Sequence, residues 1–166
     1  MKRLIFICCG FLLFTAMTCT KDTDSDHFHI GFYNESEYGV FVEWSLEHPD
    51  TTLSRMQNVS TPGWDLYVES GHSTRNALRN TDSFETEFEC GLDTLCVFVF
   101  NADTLEFYGW DYVKEHYLIA QRYDLTLNDL YRLDWQLAFP PTPEMRDIKM
   151  WPPYGTYDSL GRRVER

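Results

Sequence analysis

Leu95-Cys96-Val97-Phe98-Val99-Phe100 (LCVFVF, residues 95–100) is apolar at every position. A strand with one wet face alternates apolar with polar residues, so an unbroken run of this length suits a strand covered on both faces. This segment is expected at the centre of the domain. Upstream of it the period is two. Residues 27–33 (HFHIGFY) place Phe28, Ile30 and Phe32 on one face, and residues 38–46 (YGVFVEWSL) return after the polar turn 34–37. The two runs are expected to form a hairpin. Residues 51–63 read as a loop around Pro62 and Gly63, 64–68 as a third strand, and 74–78 as an edge strand. Residues 84–90 (FETEFEC) alternate and are expected as a further strand.

Downstream of residue 104 the grammar becomes helical. Trp110, Val113 and Tyr117 share one face of a helix expected over 109–118, with Asp111, Lys114 and Glu115 outward. Thr126 with Asp129 three residues on reads as a capping box opening a second short helix through Leu127, Leu130 and Tyr131. Residues 135–139 form a last strand, stopped by Pro140, Pro141 and Pro143. The fold class is therefore mainly β with α+β character. It is a single β-sandwich-like domain over 27–140, with one or two short helices inserted late in the chain. Residues 141–166 are expected as a proline-rich tail, extended along the surface or mobile.

The N-terminus says where such a domain works. Lys2 and Arg3 precede an uncharged run over 4–16, too short for a comfortable membrane span but of signal-peptide length. Ala16-Met17-Thr18-Cys19 then reads as a lipobox with two departures: no Leu three positions before the cysteine, and Thr rather than Gly or Ala just before it. Two alternatives stand beside acylation of Cys19: ordinary secretory cleavage and a retained N-terminal helix. The polar stretch that follows favours the lipoprotein, because residues 19–26 suit a solvated tether behind an acylated residue. Residues 1–18 are thus the expected signal peptide.

The chain carries net charge −12, and loss of Lys2 and Arg3 with the leader takes it to −14. Such a surface repels phosphate backbones, so no nucleic-acid partner is expected. The expected membrane contact is through the N-terminal lipid alone. Cys90 and Cys96 remain after the leader and Cys19, flanking a Gly91–Thr94 turn. Across a hairpin they approach disulfide distance, and two buried free thiols fit the sequence equally well.

Residues 101–140 (NADTLEFYGWDYVKEHYLIAQRYDLTLNDLYRLDWQLAFP) resemble the C-terminal half of a group of Bacteroidetes lipoproteins. The matching pieces are Asp103-Thr104-Leu105, Tyr123-Asp124-Leu125-Thr126-Leu127 and the tryptophan strand 135–140. Residues 32–53 are also similar to that group. The resemblance implies an outer-membrane or cell-surface location in a Gram-negative bacterium, and no particular chemistry. It also implies O-glycan acceptors at Asp-Ser/Thr followed by an aliphatic residue or Thr. Thr51, Thr94, Thr104 and Ser159 fit, where average residue usage gives about one match by chance. Asp-Thr pairs are favoured in turns for their own hydrogen bonds, and that alternative stays open.

Other chemistry is thin. Asp22, Asp24 and Asp26 open like a calcium loop but lack its Gly and distal Glu, and read as tether. His27 and His29 share a strand face without a third ligand nearby, so no metal is expected. There is no nucleophile elbow, HExxH or Gly-rich phosphate loop, and no catalytic residue or cofactor is assigned. Trp44, Trp64, Trp110 and Trp135 fall on periodic faces and read as core, whereas Trp151 and Tyr154 dock on the domain or present a flat surface. The sum is a lipid-anchored cell-envelope protein with a non-catalytic binding or scaffold role toward a glycan or an envelope protein. The alternative is a glycan-processing or other small-substrate envelope enzyme. Converging acids or histidines in a pocket would favour that enzyme.

Overall fold

The computed structural model describes residues 26–53, 56–61 and 65–164. The expected signal peptide, the acylation site Cys19, nearly all of the tether, and Pro62, Gly63 and Trp64 lie outside these residues. Two sheets form the frame. A three-stranded sheet has the order β4 (Ser73–Arg79), β1 (His29–Asn34), β7 (Gln136–Phe139). A five-stranded antiparallel sheet has the order β3 (Tyr67–Val68), β2 (Val40–Ser45), β5 (Leu95–Asn101), β6 (Gln121–Leu125), β8 (Lys149–Trp151). β1 runs antiparallel to β4 and parallel to β7.

β5 lies in the middle of its sheet, and each of residues 95–100 is fully buried. Its two faces serve two cores. Leu95, Val97 and Val99 join Ile30, Phe32, Leu137 and Phe139 of the other sheet in the sandwich interior. Cys96, Phe98 and Phe100 point the opposite way, into a second core closed by Leu105, Trp110 and Val113 and by the loop residues Leu53, Met56, Val59 and Leu66. An unbroken apolar run is what a strand with two dry faces requires. The result is a sandwich with a helical and loop layer over the outer face of the larger sheet.

The described residues form four short α-helices: α1 (Phe84–Glu89), α2 (Ala102–Tyr108), α3 (Trp110–Glu115) and α4 (Leu127–Arg132). α4 opens with the expected capping box, Thr126 accepting from Asp129 N while Asp129 accepts from Thr126 N. β4 is an edge strand, as its sequence suggests.

Four expectations are corrected. Residues 84–89 form a helix and not a strand, because Ser83 caps Thr86 N and Phe84 and Phe88 fall one turn apart on the apolar side. In so short a window alternation and i,i+4 spacing give the same pattern. Second, β1 and β2 do not pair as a hairpin but belong to different sheets. The corner between them is held by Asn34, wholly buried, whose Nδ2 donates to Tyr38 O (2.8 Å) and Val68 O (3.0 Å) and whose Oδ1 accepts from Ser36. Third, helix begins at Ala102 and not downstream of residue 104: Asn101 caps α2, and Gly109 closes it after Tyr108. Fourth, residues 141–166 are no separate tail. Met145 and Ile148 are buried in the main core, β8 extends the larger sheet along β6, and Tyr38 Oη donates to Gly161 O (2.9 Å).

Candidate functional site

The cysteines do not pair. Cys90 caps the end of α1 in solvent and Cys96 lies inside β5, both as free thiols. The hairpin that would have joined them is absent because residues 84–89 are helical. Of the expected acceptor hydroxyls, Thr51 and Ser159 lie on exposed loops, Thr94 is half-buried before β5, and Thr104 is half-buried in the first turn of α2. Among the described residues no group of three or more metal-ligating side chains converges.

A buried polar cluster surrounds Asp124 on β6. Its carboxylate is 1% exposed and meets Arg122 Nε at 2.9 Å, Lys149 Nζ at 3.3 Å and His48 Nε2 at 3.5 Å. Cys96 Sγ donates to it at 3.6 Å, and Arg122 Nη1 donates to Tyr117 Oη at 3.0 Å. A thiol, an imidazole and a carboxylate together suggest nucleophilic catalysis, and the electrostatics argue the other way. Burial, reinforced by the neighbouring Asp124 charge, pushes the Cys96 thiol up to about 12, so at neutral pH it carries its proton. His48 touches Asp124 and Lys149, and the thiol proton is directed at the carboxylate. The cluster joins β5, β6, β8 and the 46–53 loop.

The other constellation lies at the surface, on α2 and α3. Tyr108, Tyr112 and His116 recur every four residues and stack face to face across Gly109, at centroid distances of 4.9 and 3.9 Å. Phe107 meets Tyr108 edge-on at 4.7 Å. Phe107 is 79% exposed, Tyr108 49% and Tyr112 42%. The anchor of this face is inside: Leu105, Trp110 and Val113 bind α2 and α3 to the second core. Clefts flank α2 on two sides. One, of about 420 Å³, is lined by Gly39, Phe41, Tyr67, Asp103, Leu105 and Glu106 among others. Tyr67 forms its far wall, packed on Phe41 with centroids 5.3 Å apart. A Cβ on Gly39 would sit 2.3 Å from Tyr67 Oη, so glycine there is what lets the ring lie across the backbone. The other cleft, of about 490 Å³, is bordered by Tyr38, Thr104, Tyr108, Tyr157 and Arg163.

A third cleft, of about 360 Å³, gathers Asp26, His27, His29, Arg75, Asp134 and Gln136 near the start of β1. His27 stacks on Trp135 at 4.0 Å and holds Glu85 through Nδ1. Asp134 and Trp135 are consecutive left-handed residues (φ 50° and 57°), a conformation that non-glycine residues adopt at an energetic cost.

Trp110 and Val113 are core residues, as their periodicity predicts, whereas the exposed column is not among the sequence expectations. Its signal was present as the four-residue spacing of Tyr108, Tyr112 and His116. Gly109 divides that stripe between two helices, which hides it from a single-helix template.

Fold and surface together define a β-sandwich-like α+β domain that carries an aromatic, acid-flanked helical face. No protein-family model, curated protein or solved structure matches the chain.

Proposed function

We propose that this is a lipid-anchored cell-envelope protein whose domain has a non-catalytic binding or scaffold role, exercised through the α2–α3 face. The observation that carries the binding role is the ring column Phe107–Tyr108–Tyr112–His116. Large rings held in order by stacking yet left in water expose apolar area that a partner would cover. The anchor rests on the sequence alone: a charged n-region, an apolar run and Cys19 followed by a polar tether. An outer-membrane or cell-surface position follows from the resemblance, as do glycans on Thr51 and Ser159, whose loops are open to a transferase.

Two measurements test it. Cells fed a palmitate analogue should label the wild-type chain and not Cys19→Ser, and an unlabelled wild-type band removes the anchor. A photo-crosslinking residue at position 107 should trap a discrete adduct at the envelope that disappears when Tyr108 and Tyr112 become alanine. Uncrosslinked protein alone removes the binding face.

A second reading has its own observation. The cleft near β1 brings two acids, two histidines and an arginine together beside a strained backbone pair, as a small-substrate or glycan-processing enzyme would need. Turnover of any of a panel of chromogenic glycosides, abolished by Asp134→Asn, would support it, and no turnover across the panel counts against it.

A further inference from the structure

Resting on the proposed α2–α3 binding face, we infer that its occupant is a protein segment that inserts a lysine or arginine side chain into the cleft beside Tyr67. The chemistry of the walls selects this class. Phe41, Tyr67 and Leu105 offer apolar and aromatic surface, while Asp103 and Glu106 place two carboxylates along the same opening. Among the described residues neither carboxylate has an ion-pair partner and no basic side chain lines the cleft. A long cationic side chain satisfies both halves. Its methylenes cover the aromatic and aliphatic wall, and its head reaches the acids and the ring faces.

Other ligands fit less well. Phosphates and acidic glycans meet two carboxylates on a chain of net charge −12. A neutral sugar stacks on open ring faces, and in the adjoining column Tyr108 and Tyr112 cover each other's. A free amine would fill the cleft but leave Phe107 and Tyr108 in water, directly after Glu106 on the same helix. A segment several residues long covers both, with the basic side chain in the cleft and apolar neighbours along the column. Asp111 and Glu115, exposed on α3, extend the acidic flank in the same sense.

The test uses the full lipidated chain in detergent and a displayed library of random dodecapeptides. Selected peptides are expected to carry Lys or Arg beside a large apolar residue. Their binding should weaken at least tenfold on Asp103→Asn/Glu106→Gln, and on Gly39→Ala, which displaces the Tyr67 ring. It should be unchanged on Asp82→Asn/Glu89→Gln, one acid just before α1 and one at its end, on a helix that packs on the other core. Peptides without a basic residue, or equal binding to Asp103→Asn/Glu106→Gln, overturn the inference. If those peptides still depend on Phe107 and Tyr112, the binding face itself survives. Equal weakening by the α1 variant shows diffuse charge attraction and also overturns it. No enrichment, or enrichment indifferent to Phe107→Ala/Tyr112→Ala, removes both the inference and the face beneath it.

Discussion

Arg122 and Asp124 stand two residues apart on one face of β6, the guanidinium Nε 2.9 Å from carboxylate Oδ1. That approach is a charge contact without hydrogen-bond alignment, because Nε is left unpartnered while Nη2 donates to Oδ2 at 3.3 Å. Around this pair the strand collects Lys149 from β8 and His48 from the loop after β2. A carboxylate so enclosed is tolerable only because cations replace its water.

Asp124→Ala should therefore destabilise the domain by roughly 3–5 kcal/mol, since it strands a buried guanidinium. Lys149→Ala, at a side chain 68% exposed, should remove less than about 1 kcal/mol. Urea unfolding of both variants checks the contrast, and equal losses would mean that β8 depends on this lysine far more than its exposure implies.

Alkaline pH should unfold the protein cooperatively. Burial pushes the Cys96 thiol from 9.0 to about 12, and burial with the nearby Tyr157 pushes the Tyr38 phenol from 10.0 to about 12. Tyr123, fully buried with its hydroxyl on Ala138 O, moves in the same direction. Each group keeps its proton in the fold and loses it more readily when unfolded. The stability they contribute is intact below about pH 9 and disappears as pH rises toward 12. Near-UV circular dichroism against pH reads this directly. At neutral pH iodoacetamide should modify Cys90 in the native protein and spare Cys96, which peptide mass mapping will show.

The C-terminal segment should be indispensable. Gly161 has φ +78°, and a Cβ there would fall 2.5 Å from Ser36 Cβ at the corner between the sheets. Gly161→Ala should lower stability by roughly 1–3 kcal/mol through strain and overpacking. Removing residues 142–166 takes away β8, Met145 and Ile148 and bares the edge of β6, so that protein should aggregate. A soluble, cooperatively unfolding truncation would show that the segment merely rests on the domain.

Asn34→Ala should cost about 2–4 kcal/mol, because the carbonyls of Tyr38 and Val68 lose a buried donor together. Thr126→Ala, at the α4 cap, should cost about 1 kcal/mol. Thermal unfolding of the two variants ranks the corner against the cap.

What could be read from the chain alone was whatever depends on neighbours in sequence. Six consecutive apolar residues require two dry faces wherever they lie, so the centrality of β5 follows from residues 95–100. Thr126 and Asp129 satisfy each other within one helical turn, and their cap needs no distant partner. The same locality explains the errors. Phe84 and Phe88 fit either period, so Ser83 and the core decide.

Tertiary structure alone decided everything that joins distant residues. Asn34 became a corner because Val68, far along the chain, presents a carbonyl to it. Asp124 became an ionic centre because β8 returns with Lys149. The candidate cleft exists because Gly39 lets Tyr67 lie beside a helix that starts at Ala102. Periodicity reports which way a side chain faces, whereas the identity of what it meets is set by how strands and loops pack over long separations.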